Sequence, residues 1–174
     1  MKSHTKLSPD ETALLEASRK LKILDSSFET LFDSITNSAM DICKTPMALI
    51  SFNQKDCHCF KSSTGFDTYL DESIEYDFVP KDALRSGLVE IEDTFVDAKY
   101  QGNPLTLGTM TVRYYAAAPI KLPLGEIIGS LCVIDTDVNQ LSDMQKAGLE
   151  ALAKIVAQAL MIRKLHLRQE GLTR

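Results

Sequence analysis

Apolar residues recur at helical spacing near both ends of the chain and alternate with polar ones in between. Leu14, Leu15, Leu21, Ile23 and Leu24 predict a first helix, opened by Pro9 and Asp10. A second start follows at once. Ser26 and Glu29 have the Ser-x-x-Glu spacing in which two side chains reciprocally satisfy free backbone N–H groups, and Phe28, Leu31, Phe32, Ile35, Ala39 and Ile42 carry a helix from there to about Lys44. From Pro46 the period changes to that of a strand: PMALISFN, a turn at Gln54, Lys55 and Asp56, then CHCFKSS before Gly65 form a hairpin. Residues 66–87 fit neither period cleanly, with a helix near Pro80 to Arg85. LVEIED reads as a short strand, and DTFVDAKYQGNPLTLG as a short helix breaking into a loop at Gly102, Asn103 and Pro104. VRYYAAAPIKL and EIIGSLCVIDT are two long strands around Pro123, Leu124 and Gly125.

Ser142 and Gln145 repeat the capping spacing and open a last helix patterned to about Arg168. At 100° per residue, Leu149, Leu152, Ile155, Val156, Ala159, Leu160 and Ile162 cover roughly 160° of it, more than the stripe of about 100° that faces a single core. One side of this helix is expected to meet the sheet and another to meet a partner. Helix, strands, irregular middle, strands and helix make an α+β domain.

Composition narrows the class. The chain has 174 residues, enough for one domain with a sizeable core and no disulfide staples. The polar start MKSHTKLSPDE lacks the apolar stretch of a signal peptide, and no run approaches the roughly 20 apolar residues of a membrane span. A cytoplasmic protein with four reduced cysteines is expected. Net charge is −5 with signs interspersed, so nucleic acid is not an expected partner, and the basic residues Arg163, Lys164, Arg168 and Arg174 suit the end of a helix.

Cys57, His58 and Cys59 look at first like a metal site. On a strand, however, Cys57 and Cys59 share a face while His58 points away, and the other histidines, His4 and His166, lie near the ends. A disulfide between Cys57 and Cys59 would span about 6.6 Å between Cα atoms, at the upper limit of its geometry. Small half-buried strand residues are the expectation, with no metal.

Five segments in one order carry a family likeness: RKLKILDSSFETLFDSIT, TPMALISFNQKDCHCFKSSTG, VEIEDTFVDAKYQGNPL, VRYYAAAPIKLPLGEIIGSLCVIDT and LSDMQKAGLEALAKIVAQAL. Together they strongly resemble the GAF-domain family, in particular the kind at the front of bacterial sensor kinases and diguanylate cyclases. The likeness covers residues 14–162, leaving 1–13 as an N-terminal extension and 163–174 as the end of a signalling or dimer helix. It implies an antiparallel sheet of five or six strands, the first and last helices on one face, and the irregular middle enclosing a small-molecule pocket on the other.

Ligand-facing candidates on this frame are Phe52, Cys59, Phe78, Asp93, Asp97, Arg113, Tyr115, Ala117 and Cys132. Cys59 stands where relatives often carry tryptophan, which enlarges the pocket or is compensated by a neighbour, depending on its face. In YDFVPKDAL, Phe78 keeps an aromatic of the family while Val79 replaces a cysteine and Pro80 stiffens the backbone, so covalent bilin attachment is not expected. Asp93 and Asp97 either bind a polar ligand group or cap the following helix, with capping favoured. Arg113 pairs with one of them or with an anionic ligand, an internal ion pair being favoured. Tyr114 and Tyr115 point to opposite faces, one towards the pocket and one under the helices. Cys132 also fits a core position.

The expected function is regulatory: a small molecule is sensed, and the signal leaves through a homodimer seam on Leu149, Leu152, Ile155, Val156, Ala159 and Ile162 to a kinase or cyclase in cis or in trans. A free methionine-(R)-sulfoxide reductase is the enzymatic alternative. It needs a pocket thiolate and a resolving cysteine, and residues 66–111 contain no cysteine, so no enzyme is expected. A dimerisation scaffold whose pocket is filled by Phe52, Phe60, Phe66, Phe78, Phe95 and Tyr115 is the third reading.

Overall fold

The computed structural model describes residues 26–54, 57–66 and 81–172. The helix expected before Ser26 lies outside them. Helix α1 (Ser26–Cys43) leads into strands β1 (Met47–Gln54) and β2 (Cys57–Thr64). A single turn, α2 (Lys81–Leu84), precedes β3 (Val89–Ile91) and a small ribbon of β4 (Thr106–Leu107) and β5 (Met110–Thr111). Strands β6 (Tyr114–Lys121) and β7 (Ile127–Asp135) and the 30-residue helix α3 (Asp143–Leu172) complete the chain.

The main sheet is antiparallel in the order β2-β1-β7-β6-β3. Pairing of β1 with β7 joins the two hairpins at its centre, and among the described residues β3 is a three-residue edge. Gly129 makes the central approach feasible, since a Cβ there would lie 2.1 Å from the Ser51 carbonyl oxygen. A bulge where Ile120 pairs with Gly129 but Lys121 with Ile127 shifts the alternation at the start of β7.

One face carries Ala48, Ile50 and Phe52 of β1, Tyr114, Ala116, Ala118 and Ile120 of β6, and Leu131 and Val133 of β7. Against it pack Phe32, Ile35 and Ala39 of α1 and Leu149, Ala153, Val156 and Leu160 of α3. The helix ends are built from local chemistry. Lys44 at φ 55° is the left-handed residue that closes α1, and the Thr45 N–H returns to the Met40 carbonyl at 3.2 Å. At the start of α3 the Gln145 N–H donates to Ser142 Oγ (3.2 Å) and the Ser142 N–H to Gln145 Oε1 (2.9 Å), the capping box read from the sequence. Gln145 Nε2 also donates to the Ile42 carbonyl at 3.0 Å, which ties the start of α3 to the end of α1.

The second face carries Met47 and Leu49 of β1, Tyr115 and Ala117 of β6, and Cys132 and Ile134 of β7. Leu84, Tyr100, Leu107 and Val112 cover it. The segment after β3 forms successive turns instead of the expected short helix. Asp93 and Asp97 explain the difference: their Oδ1 atoms accept the N–H groups of Phe95 (3.0 Å) and Lys99 (2.9 Å), and these side-chain turns compete with a helical ladder.

Candidate functional site: the second sheet face and helix α3

Alternation on β6 separates its two tyrosines. Tyr114 lies under the helices and Tyr115 on the second face, where its hydroxyl is 2.9 Å from that of Tyr100 and the rings meet edge-on at 6.4 Å. Burial, followed by the Tyr100 contact, pushes the Tyr115 phenol well above its ordinary value. Ala117 and Cys132 face each other across β6 and β7 beside it. Burial drives the Cys132 thiol up to about 12, so at neutral pH it is a protonated, unreactive group. Its sulfur lies 3.7 Å from Ser130 Oγ, and Ser130 Oγ lies 3.3 Å from Ser51 Oγ, a buried polar patch on the sheet.

Asp93 and Arg113 are engaged with each other. Arg113 Nε and Nη2 donate to the two carboxylate oxygens of Asp93, each at 3.0 Å, and the guanidinium lies 4.7 Å from the Phe95 ring centroid. The Arg113 hydrogen bonds hold the Asp93 carboxyl below the usual carboxylate range, and Asp93 in turn raises Arg113. Thr94 locks the same turn, donating its hydroxyl to the Val112 carbonyl at 2.8 Å and its N–H to the Arg113 carbonyl at 2.7 Å.

Tyr115, Ala117 and Cys132 therefore come together on one face, with Asp93, Asp97 and Arg113 in the turn after β3 and at the start of β6. Phe52 does not join them: it faces the helices, 2% exposed, with its ring 6.1 Å from that of Phe32. Its place follows from the register of β1, where Leu49 and Ser51 take the other side. Cys59 pairs through its backbone with Phe52, and its side chain is outside the described residues. Phe78 lies outside them altogether.

The wide apolar arc of α3 resolves into two sides. Leu149 and Val156 are buried against the sheet, Leu152 and Ala159 are half-buried, and Ile155 and Ile162 are 45% and 56% exposed, with Leu165 at 55%. An open groove of about 430 Å³ between α3 and the β6–β7 turn is lined by Pro123, Ala157, Met161 and Ile162, with Lys121 and Lys154. Among the described residues no helix is long and apolar enough to cross a membrane.

Glu90 is the residue that sequence reasoning passed over. Its Oε1 accepts the Tyr114 hydroxyl (3.0 Å) and the Leu141 N–H (2.8 Å), and its Oε2 is 2.8 Å from Lys146 Nζ. The carboxylate raises the Lys146 ammonium above its ordinary range. The available signal was the alternation in LVEIED, which sets one acid against Val89 and Ile91 on the opposite side of a strand.

An antiparallel sheet with helices on one face and an irregular cover on the other is an α+β domain in the motif order the sequence displays. The chain belongs to the GAF domain family, whose model matches residues 27–160. Over 139 residues it is 32% identical to a cyclic di-GMP phosphodiesterase of Pseudomonas aeruginosa. That match covers 79% of this chain and 23% of the relative, so the chain spans under a quarter of that protein's length. Among solved structures, the GAF domain of an Acinetobacter phosphoenolpyruvate-protein phosphotransferase is similar with a TM-score of 0.63 at 16% identity, covering 91% of this chain and 97% of that one. A domain of a putative two-component sensor histidine kinase protein from Sinorhizobium meliloti has a TM-score of 0.63 at 10% identity, covering 83% and 99%. A type II free methionine-R-sulfoxide reductase from Thermoplasma acidophilum has a TM-score of 0.61 at 15% identity, covering 76% and 91%. Such identities establish the shared fold alone.

Proposed function

We propose that this chain is a regulatory GAF module that receives a small molecule on the second sheet face and passes the signal through α3 to a kinase, cyclase or phosphodiesterase in cis or in trans. The observation that carries the reading is the division of α3. One side builds the domain core with Leu149, Val156 and Leu160, while Ile155, Ile162 and Leu165, seven and then three residues apart, stay exposed. That is the spacing of a coiled-coil seam, and it fits pairing with a second copy. The same rigid element then feels the sheet and meets the partner. Tyr115, Ala117 and Cys132 are the proposed ligand-side floor, with Phe78 as a further candidate, whereas the register that sets Cys59 opposite Phe52 takes Cys59 out of that floor, and ligand binding would bias the helix pairing by differential affinity.

Light scattering of the purified chain tests the output half: a dimer that Ile162→Glu converts to a monomer supports it, and a wild-type monomer at high concentration sinks it. Native mass spectrometry followed by thermal-shift screening of nucleotides, amino acids and small acids tests the input half. Contact between Tyr100 and Tyr115 favours the second reading, a scaffold whose face is filled by its own side chains; in that case no screened compound raises the melting temperature. The reductase reading has less support: residues 66–111 hold no cysteine, and of the thiols whose side chains are described, Cys132 and Cys43 are buried and pushed up to about 12 and about 11. Turnover of free methionine sulfoxide would restore it.

A further inference from the structure

We propose that the edge strand β3 couples the second face of the sheet to the start of α3, with Glu90 as the positioning residue. This rests on the reading that the second face receives the signal and α3 passes it on. Strand alternation gives β3 two jobs. Val89 and Ile91 pack with the second-face cluster, and Ile91 is paired directly with Tyr115. Glu90, between them, turns to the helix side and is 9% exposed there. It accepts from Tyr114, from the backbone of Leu141 just before the capping Ser142, and from Lys146 in the first turn of α3. Glu92 adds to the same grip, its carbonyl accepting the Asn139 N–H at 3.4 Å and its Oε1 the Gln140 amide at 2.8 Å.

A carboxylate this buried cannot give up its donors cheaply, because an unpaired buried charge costs far more than a shifted loop. Displacement of β3 therefore carries Leu141 and Lys146 with it. β3 is three residues long and, among the described residues, pairs with β6 alone, so it is held by fewer ladder bonds than β6 or β7. A change of angle at the start of α3 displaces later residues in proportion to their distance along the axis, which grows by about 1.5 Å per residue and extends to the Ile155 to Leu165 seam.

The test is hydrogen exchange on the whole chain in six forms: wild type, the single variants Ile91→Ala, Glu90→Gln and Lys146→Met, and Ile91→Ala combined with each of the other two. Ile91→Ala trims only the second-face contact. With Glu90 and Lys146 intact it should speed exchange of the first-turn amides of α3, from Gln145 to Leu149, by about tenfold, the equivalent of one charge-assisted hydrogen bond, while amides 153–160 hold their rates. With Glu90→Gln or Lys146→Met those first-turn amides should already exchange faster, and Ile91→Ala should add nothing. Lys146 sits on the partly exposed helix surface, so Lys146→Met carries the test should Glu90→Gln not fold. An unchanged first turn in Ile91→Ala overturns the proposal, as does the same increment in every background or a uniform loss of protection along α3. Absence of self-association and of any ligand would remove the sensor reading while leaving this coupling measurable.

Discussion

The helix face of the sheet is closed by Phe32, Ile35, Leu149, Val156 and Leu160 from two long helices, whereas the second face is closed by Tyr100, Leu107 and Val112 from a segment of turns and two-residue strands. The first closure is distributed over aliphatic contacts that recur every turn. Among the described residues the second adds specific polar locks to its apolar contacts: the Asp93–Arg113 pair, the Tyr100–Tyr115 hydroxyl contact and the Thr94 bonds to the β5–β6 connection. The difference teaches where stability and responsiveness are placed. Dense apolar packing is lost only with the whole fold, while a cover held by separable polar contacts opens locally at lower cost.

The largest expected effect breaks the helix face. Leu149→Ala should lower unfolding free energy by about 3 kcal/mol in urea titration, because Leu149 is fully buried between the sheet and α1 and the site has little room to collapse. On the second face Tyr115→Phe keeps the ring and removes one hydroxyl contact, so about 1 kcal/mol is expected. That variant should also speed amide exchange around Tyr100 more than in α1. An equal cost for both substitutions would erase the contrast between the faces.

The Asp93–Arg113 lock sharpens the comparison through pH. Asp93 has a folded pKa below its unfolded value of 3.8, so the pair stabilises the protein above that value and the contribution fades as pH falls through the lower, folded value. Arg113→Met should therefore be less stable than wild type at neutral pH, with the gap closing in acid below pH 3.8; a gap independent of pH would mean that Phe95 stacking dominates the pair. The smallest effect on the fold is expected at the α3 seam. Ile162→Glu should change monomer stability by less than about 0.5 kcal/mol, the range for exposed sites, while altering self-association.

Much of this contrast is legible in the sequence. The capping box at Ser142 and Gln145 depends on neighbours three residues apart, and its two bonds are present. Alternation on β6 separated Tyr114 from Tyr115, and the arginine beginning that strand found an acid, Asp93. Other features stayed hidden for identifiable reasons. Alternation groups Ala48, Ile50 and Phe52 together without saying which layer they meet, so Phe52 read as a ligand residue although it packs on Phe32. The arc on α3 is wider than one core-facing stripe, yet only packing against β6 and α1 shows that Leu149 and Val156 face inward and Ile155 and Ile162 outward.

Periodicity, caps and turn chemistry are interactions among residues a few positions apart, and the sequence alone determined them: the α+β order of elements, the sets of residues that share a face, and the breaks at Lys44 and Ser142. Tertiary structure decided what each face meets. Glu90 reaches the backbone of Leu141, 51 positions away, and Thr36 of α1 meets Ser62 of β2 at 3.0 Å across 26. No local pattern encodes such partners, because they come within hydrogen-bonding distance only when the hairpins have joined at β1 and β7 and the helices have closed over one side of the sheet.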